Sequence, residues 1–185
     1  MAEAANGPGA TDGRYRPCVG VAVFNRKGLV LVGRRVLVPP IEEPGTGWQM
    51  PQGGIDPGET PLEAARRELF EETNIRSVAL LGESEKWLSY DIPSEFLGIA
   101  WGGRYRGQRQ KWFAFRFEGE DSEIDVERPG EGKHEREFED WRWERLDRIA
   151  ELIVPFKRPV YVEVAEEFAR FARPLAVAES SRPRQ

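Results

Sequence analysis

Glu68, Glu71 and Glu72 stand at positions i, i+3 and i+4 of a run, Pro61 to Thr73, that has the marks of a helix. Thr60 offers a hydroxyl N-cap, Pro61 suits the first helical position, and Glu63 is the return partner of a capping box. Asn74 falls where the chain must leave the helix, and asparagine tolerates the left-handed conformation used there. At about 100° per residue the three carboxylates lie within roughly 100° of one another. Leu62, Ala65 and Leu69 gather on a neighbouring face that can pack on a sheet. Carboxylates so close repel unless something positive sits between them. Arg67 can offset one of them, Glu71, from the edge, and Arg66 points away. A divalent cation bound by oxygen ligands is the natural compensation for the rest. An acidic helix face taken alone is more often merely solvated, so the surrounding string has to decide.

That string, Gly53 to Ile75 (GGIDPGETPLEAARRELFEETNI), resembles the signature of the Nudix hydrolases. The matching positions are Gly53, Glu59, Arg67, Glu68, Leu69, Glu71, Glu72, Asn74 and Ile75. One departs: Asn74 stands where the family usually has glycine. Because asparagine accepts the same backbone conformation, no loss of function is expected, and Asn74→Gly is expected to be close to silent. Further segments are similar to one branch, the bacterial RNA pyrophosphohydrolases and the related diadenosine tetraphosphate hydrolases. They are Tyr15-Arg16-Pro17, the run Trp48 to Gly54, Arg67 to Glu72, Gly107 to Phe113, Trp141-Arg142-Trp143 and Phe156-Lys157-Arg158.

The resemblance implies an α/β fold, an α/β/α sandwich around a mixed sheet. It implies attack of water on phosphorus in a nucleotide polyphosphate, either the 5′ triphosphate end of RNA or a dinucleoside polyphosphate. By position, Glu68, Glu71 and Glu72 would hold Mg²⁺, with Mn²⁺ or Zn²⁺ able to substitute, and the Gln52 carbonyl would join them. Glu68 is the first choice of general base. Glu59 and Arg67 would brace loop and helix, and Gly53 and Asn74 would serve the backbone of the motif. Glu137 best matches a further metal carboxylate, although Glu135, Glu139 and Asp140 are equally charged neighbours. Arg16, Arg35, Lys111 and Lys157 would grip phosphates, and Phe156 would stack on a base or pack in the core. Trp87 and Tyr90 read as core or rim. Prolines 155 and 159 stiffen the turn around Lys157 and can aim it at substrate. The alternative is that Lys157 caps the carbonyls that end the preceding helix. Other nucleoside diphosphate derivatives, such as nucleoside triphosphates or ADP-ribose, are the runner-up substrates. A non-catalytic Nudix-fold binding module is the competing class, and retention of all three glutamates speaks against it.

Composition removes much else. The chain has 185 residues, 39% of them hydrophobic and 32% charged, enough for one sizeable core and too apolar for a disordered chain. One cysteine, Cys18, excludes an internal disulfide framework, and with His134 as the single histidine it excludes zinc sites built from several Cys or His ligands. Serine–histidine or cysteine–histidine catalysis would have to use His134, which sits in the charged segment Gly130–Glu139, expected to be mobile. The net charge of −5 argues against a general nucleic-acid coat or a double-stranded DNA partner. No apolar run approaches the roughly 20 residues of a membrane span. A cytoplasmic location is expected, and a monomer is favoured.

The elements that must position these residues follow from patterning. Residues 1–13 and 174–185 read as flexible tails around a domain of residues 14–173. Cys18–Phe24 and Leu29–Gly33 form a hairpin, and Val36–Gly47 is a proline-rich loop, which the family resemblance implies borders the site. Trp48–Met50, Val78–Leu81 and Trp141–Trp143 read as strands. Lys111–Phe117 places Phe113, Phe115 and Phe117 on one face of a half-buried strand. Glu120–Glu139 is a mostly acidic loop. Leu146–Ile153 and Arg158–Phe171 read as helices, the second burying Val160, Val164, Phe168 and Phe171.

Overall fold

The computed structural model describes residues 13–36, 47–98 and 100–175. Most of the proline-rich loop and nearly all of both expected tails lie outside them. The strands are β1 (Tyr15–Phe24), β2 (Val30–Arg35), β3 (Trp48–Gln49), β4 (Gln52–Gly54), β5 (Val78–Glu83), β6 (Leu88–Asp91), β7 (Gly107–Phe117) and β8 (Phe138–Glu144). The helices are α1 (Pro61–Thr73), α2 (Pro129–Gly132), α3 (Ile149–Leu152) and α4 (Arg158–Phe168). One sheet runs β3-β2-β1-β7-β5, with β4 against β1, β6 against β7 and β8 against β2. Only β1 and β7 pair in parallel, Tyr15 opposite Gly107 through Phe24 opposite Arg116, so the sheet is mixed.

Each face of that sheet carries helices. Ala64, Ala65 and Leu69 of α1 pack with Val19, Val21, Val23, Phe113, Phe115 and Phe117. On the other face Ile149 and Ile153, with Val160, Tyr161, Val164 and Phe168 of α4, meet Ala22, Phe24, Trp112 and Ala114. This is the expected α/β/α sandwich. The strand β7 is buried on both faces rather than one, because Trp112 and Ala114 fill the second core while the odd-numbered phenylalanines fill the first. Leu69 is fully buried, and truncating such a leucine to alanine costs about 2–5 kcal/mol.

Helix α1 begins and ends as its residues dictate. Thr60 accepts from the Glu63 amide, Glu63 returns a carboxylate to the Thr60 amide, and Asn74 takes φ 65° at the C-cap. The two C-terminal helices are interrupted: a 3-10 turn at Leu146–Arg148 precedes α3, and another at Ala169–Phe171 follows α4. The chain stays tied to the fold past the expected boundary at residue 174, since the Leu175 amide donates to the Arg26 carbonyl at 2.9 Å. Two short strands escape the sequence patterning, β4 and β6. No helix among the described residues is long and apolar enough to cross a membrane.

Candidate active site

The segment Gly53–Asn74 closes on itself around Arg67. Its guanidinium donates to Glu59 Oε1 at 2.8 Å, Glu68 Oε1 at 2.8 Å, Glu71 Oε2 at 3.0 Å and the Gly54 carbonyl at 2.8 Å. The arginine therefore offsets two of the clustered glutamates, where the helical spacing suggested one, and it bolts the loop before α1 onto the helix. Those bonds hold the Glu59 carboxyl below the usual range. Gly53 is required by close approach: a Cβ there would overlap the Glu68 carboxyl.

A cavity of about 380 Å³ opens above this motif. Glu68, Glu72 and Glu137 line it together with Gln52, Arg16, Arg35, Phe156 and Lys157. Glu72 is 8% exposed, and its Oε2 accepts from the Gln52 amide at 3.2 Å. Burial raises its pKa well above the usual carboxylate range, and the charges of Glu137 and Glu68 raise it further. Burial likewise raises Glu68, against the lowering pull of Arg67. Of the four adjacent acids Glu135, Glu137, Glu139 and Asp140, it is Glu137 that enters the cavity, gripped by Arg35 at 2.9 and 3.0 Å. Glu139 and Asp140 pair with Arg34 instead. Lys157 is buried in the turn before α4, where burial and the neighbouring Arg35 push its pKa down to about 8. Its Nζ donates to Gln49 Oε1 at 3.2 Å and lies 5.5 Å from the Tyr90 ring centre. Gln49 and Tyr90, the neighbours of that ammonium, are thus cavity groups rather than carbonyls ending α3.

Two expected site residues stand elsewhere. Glu71 points to the edge of the motif, with Oε2 on Arg67 and Oε1 3.7 Å from His134 Nε2. On the helix it lies about 100° from Glu72, which turns toward the sheet, so the cavity's third carboxylate is Glu137 rather than Glu71. His134 is accordingly held against α1, in a segment expected to be mobile. Lys111 points away from the cavity: its Nζ donates to the Ser84 carbonyl and pairs with Glu83 at 3.7 Å. The cause is strand parity, since odd-numbered residues of β7 face α1 and even-numbered ones face the cavity.

Parity also reveals groups that the motif reading passed over. Gln108 Oε1 accepts from the Tyr90 hydroxyl at 2.7 Å and from Gln110 Nε2 at 3.0 Å, and Trp112 Nε1 donates to Gln110 Oε1 at 3.1 Å. Tyr90 and Gln108 of this buried chain line the cavity, and the chain fixes the Tyr90 ring, which tilts against Phe156 at 5.6 Å. Tyr90 is thus both core and cavity wall. Gln49, Phe96 and Trp101 complete the lining. A larger groove, about 590 Å³, runs along the outer side of α4 past Leu29, Ala150 and Val162, and none of the clustered carboxylates reaches it.

Among the described residues no three His, Cys, Asp or Glu side chains already converge on one point as metal ligands. The donor set nevertheless suits a hard cation. Three carboxylates share one cavity, and the buried Glu72 is held by the Gln52 backbone N–H rather than by a guanidinium. A divalent ion between Glu68, Glu72 and Glu137 would relieve the repulsion that raises the Glu72 pKa.

The chain matches the NUDIX domain over residues 14–164. It is 61% identical over 158 residues to a protein of Azorhizobium caulinodans named RNA pyrophosphohydrolase, covering 85% of this chain and 94% of that one. A protein of the same name from Rhodopseudomonas palustris is 57% identical over 163 residues, with 88% and 92% covered. Among solved structures, an E. coli dihydroneopterin triphosphate pyrophosphohydrolase superposes with a TM-score of 0.58 at 20% identity, covering 82% of this chain and 96% of that one. A C. elegans Ap4A hydrolase complex superposes with a TM-score of 0.55 at 17% identity, covering 83% and 96%. At such identities the superpositions speak for the fold alone. Domain match, close relatives, fold and the Arg67-centred motif agree: the chain belongs to the Nudix family.

Proposed function

We propose that the protein is a metal-dependent pyrophosphohydrolase that removes pyrophosphate from the 5′ triphosphate end of RNA, with dinucleoside polyphosphates as related substrates. The observation that carries this reading is the cavity itself, which gathers three carboxylates, three cations and a pair of mutually tilted rings. That pairing of charges suits a metal–polyphosphate, and the rings suit the nucleoside attached to it. The names of the close relatives support RNA as the substrate.

Glu68, Glu72 and Glu137, with the Gln52 carbonyl, would hold Mg²⁺ or Mn²⁺, and Glu71 would reach the ion only if Arg67 released it. The bound ion supplies charge neutralisation on the polyphosphate and acidifies the attacking water. Arg16, Arg35 and Lys157 bind phosphate oxygens and fix the chain of phosphates in the cavity. Glu68 is the first choice for the group that takes the proton of the attacking water, at Oε2, the oxygen that Arg67 leaves open, and in that role it leaves Glu72 and Glu137 to hold the ion. Tyr90 and Phe156 hold the nucleoside, and the buried glutamines behind Tyr90 keep the ring from turning. Such a substrate places the work in the cytoplasm.

Product analysis tests the assignment. With Mg²⁺, a triphosphorylated RNA should yield pyrophosphate and a monophosphorylated strand, and EDTA should stop the reaction. A chelator-resistant rate would overturn the metal mechanism. Hydrolysis of nucleoside triphosphates or ADP-ribose in preference to RNA would overturn the substrate assignment.

A further inference from the structure

The negative charge of this protein is unevenly spread. Residues 13–41 and 96–117 together contain eleven of its 27 lysines and arginines and no carboxylate. These stretches hold β1 and β7, the parallel pair, so their N-terminal ends lie side by side. The Arg106 amide donates to the Arg14 carbonyl at 2.8 Å, immediately before Tyr15 meets Gly107. Two Arg-Tyr-Arg triplets, residues 14–16 and 104–106, are thereby brought to one edge of the sheet.

At that edge each arginine–aromatic pair repeats the next. Arg104 lies over Tyr105 at 5.5 Å, Arg106 over Tyr15 at 5.6 Å, and Arg109 over Trp87 at 5.5 Å. All three rings are half-buried and keep part of their surface toward solvent. The strip reaches the cavity at its Arg104–Tyr105 end, whereas Tyr15 and Arg109 are odd-numbered residues of β1 and β7 and carry it round the edge to the α1 side of the sheet. Trp101, which lines the cavity, meets Tyr105 at 6.5 Å between ring centres, and Arg16, also in the lining, follows Tyr15 by one position. Asp91 is the acid paired there, bonded to Tyr15 and Arg106.

We propose that this edge is a track for single-stranded RNA leaving the cavity, holding the nucleotides that follow the 5′ end. Exposed cations alternating with aromatic faces suit a flexible strand, whose phosphates meet the guanidiniums while its bases stack on the rings. Duplex nucleic acid offers no free base faces, and a dinucleoside polyphosphate has no phosphodiester chain beyond its second nucleoside to lie along the strip. The strip therefore separates RNA from the smaller substrate, and it rests on the RNA reading of the cavity.

Binding measured without turnover tests it. In EDTA, a labelled, monophosphorylated 12-nucleotide strand should bind the full chain at least tenfold more weakly after Arg104→Ala combined with Arg106→Ala. The slope of log affinity against log salt should fall in magnitude by about 1.4, roughly 0.7 for each cation removed. Tyr105→Ala, which leaves the Arg106–Asp91 pair in place, should weaken the strand by at least threefold. Affinity for diadenosine tetraphosphate should stay within twofold in every variant. Unchanged strand affinity and salt slope would overturn the track, and so would an equal loss for diadenosine tetraphosphate. The hydrolytic assignment fails separately: a parent protein that binds the strand but releases no pyrophosphate from a triphosphorylated end refutes that assignment and leaves the track standing.

Discussion

Asn74→Gly, which backbone reasoning alone would make silent, should destabilise the protein. Asn74 occupies the left-handed C-cap of α1 at φ 65°, where glycine fits without strain. Its side chain, however, makes three bonds to the acidic segment that wraps the helix end. Nδ2 donates to the Asp125 carbonyl at 3.1 Å and the Arg128 carbonyl at 3.0 Å, and Oδ1 accepts from the Glu131 amide at 2.7 Å. At about 0.5–1.5 kcal/mol each, reduced because water can replace them at this half-exposed site, the three are worth about 2–3 kcal/mol. Relief of the left-handed asparagine returns about 1 kcal/mol or less. The net loss is about 1–2 kcal/mol, and at about 2–4 °C per kcal/mol for a chain of this length Tm should fall by about 3–6 °C. Asn74→Ala loses the same bonds and adds the steric cost of the left-handed backbone, so it should fall further. Calorimetry on the three proteins checks the order asparagine, glycine, alanine. A glycine variant within about 1 °C of the parent would show that these bonds are replaced by water at no cost.

Glu72→Gln should reduce hydrolysis at least a hundredfold at saturating Mg²⁺ while Tm holds or rises, because the neutral amide escapes the burial that penalises the carboxylate; a rate within about threefold of the parent would remove Glu72 from the metal site. Glu68 and Glu72 have folded pKa values above their unfolded ones, so their contribution to stability is complete below about pH 4.5 and is lost as pH rises through the folded values. In EDTA, Tm should therefore decline as pH rises above about 4.5, and Mg²⁺ should flatten that decline; a metal-free Tm that climbs as these carboxyls ionise would contradict the assignment. Lys157→Ala should lower kcat/KM at least tenfold, about 1.4 kcal/mol, and should abolish the fall in kcat/KM expected above about pH 8, where the buried amine loses its charge. An unchanged alkaline limb would assign that ionisation to another group. Lys111→Ala should leave KM within twofold and cost about 1 kcal/mol of stability through the lost Ser84 contact; a tenfold rise in KM would return it to the substrate.

Much of the site is legible in the sequence wherever a single local element carries it. The cap residues Thr60, Pro61, Glu63 and Asn74 delimit α1 to the residue, because capping is settled by neighbours in the chain. The ion pair of Glu59 with Arg67 follows from the same motif, being one helix and one adjoining loop. Glu137 was one of four adjacent acids, and nothing local could choose among them. The choice is made by β8 pairing with β2, which sets Arg35 beside Phe138 and turns Glu137 to that arginine. Gln108 and Gln110 were accessible and missed: once Phe113, Phe115 and Phe117 are placed on a core face, Lys111 must share it and the even-numbered glutamines must face the other way. A short element such as β4 has too few residues to show any period, and only its pairing with β1 defines it.

The resulting arrangement explains how an acidic protein can receive a polyanion. Its carboxylates are concentrated on α1 and the 118–140 segment, and its uninterrupted cationic stretches lie on the parallel pair β1 and β7. The cavity forms where the two distributions meet, with Glu68 and Glu72 presented by the helix, Arg16 by β1 and Arg35 by β2. Neither side alone would serve: a wholly cationic pocket would hold the polyphosphate without a place for the metal, and a wholly acidic one would repel it. The Arg35–Glu137 and Arg67–Glu68 pairs mark this boundary and keep the opposing charges apart without cancelling them. Burial of Glu72 and Lys157 behind that boundary is unfavourable for the isolated fold, as their shifted pKa values record, and the metal-bound polyphosphate proposed as substrate would give each a partner of opposite charge. The strain in the empty charge pattern is thus the part of the fold most directly shaped by the substrate.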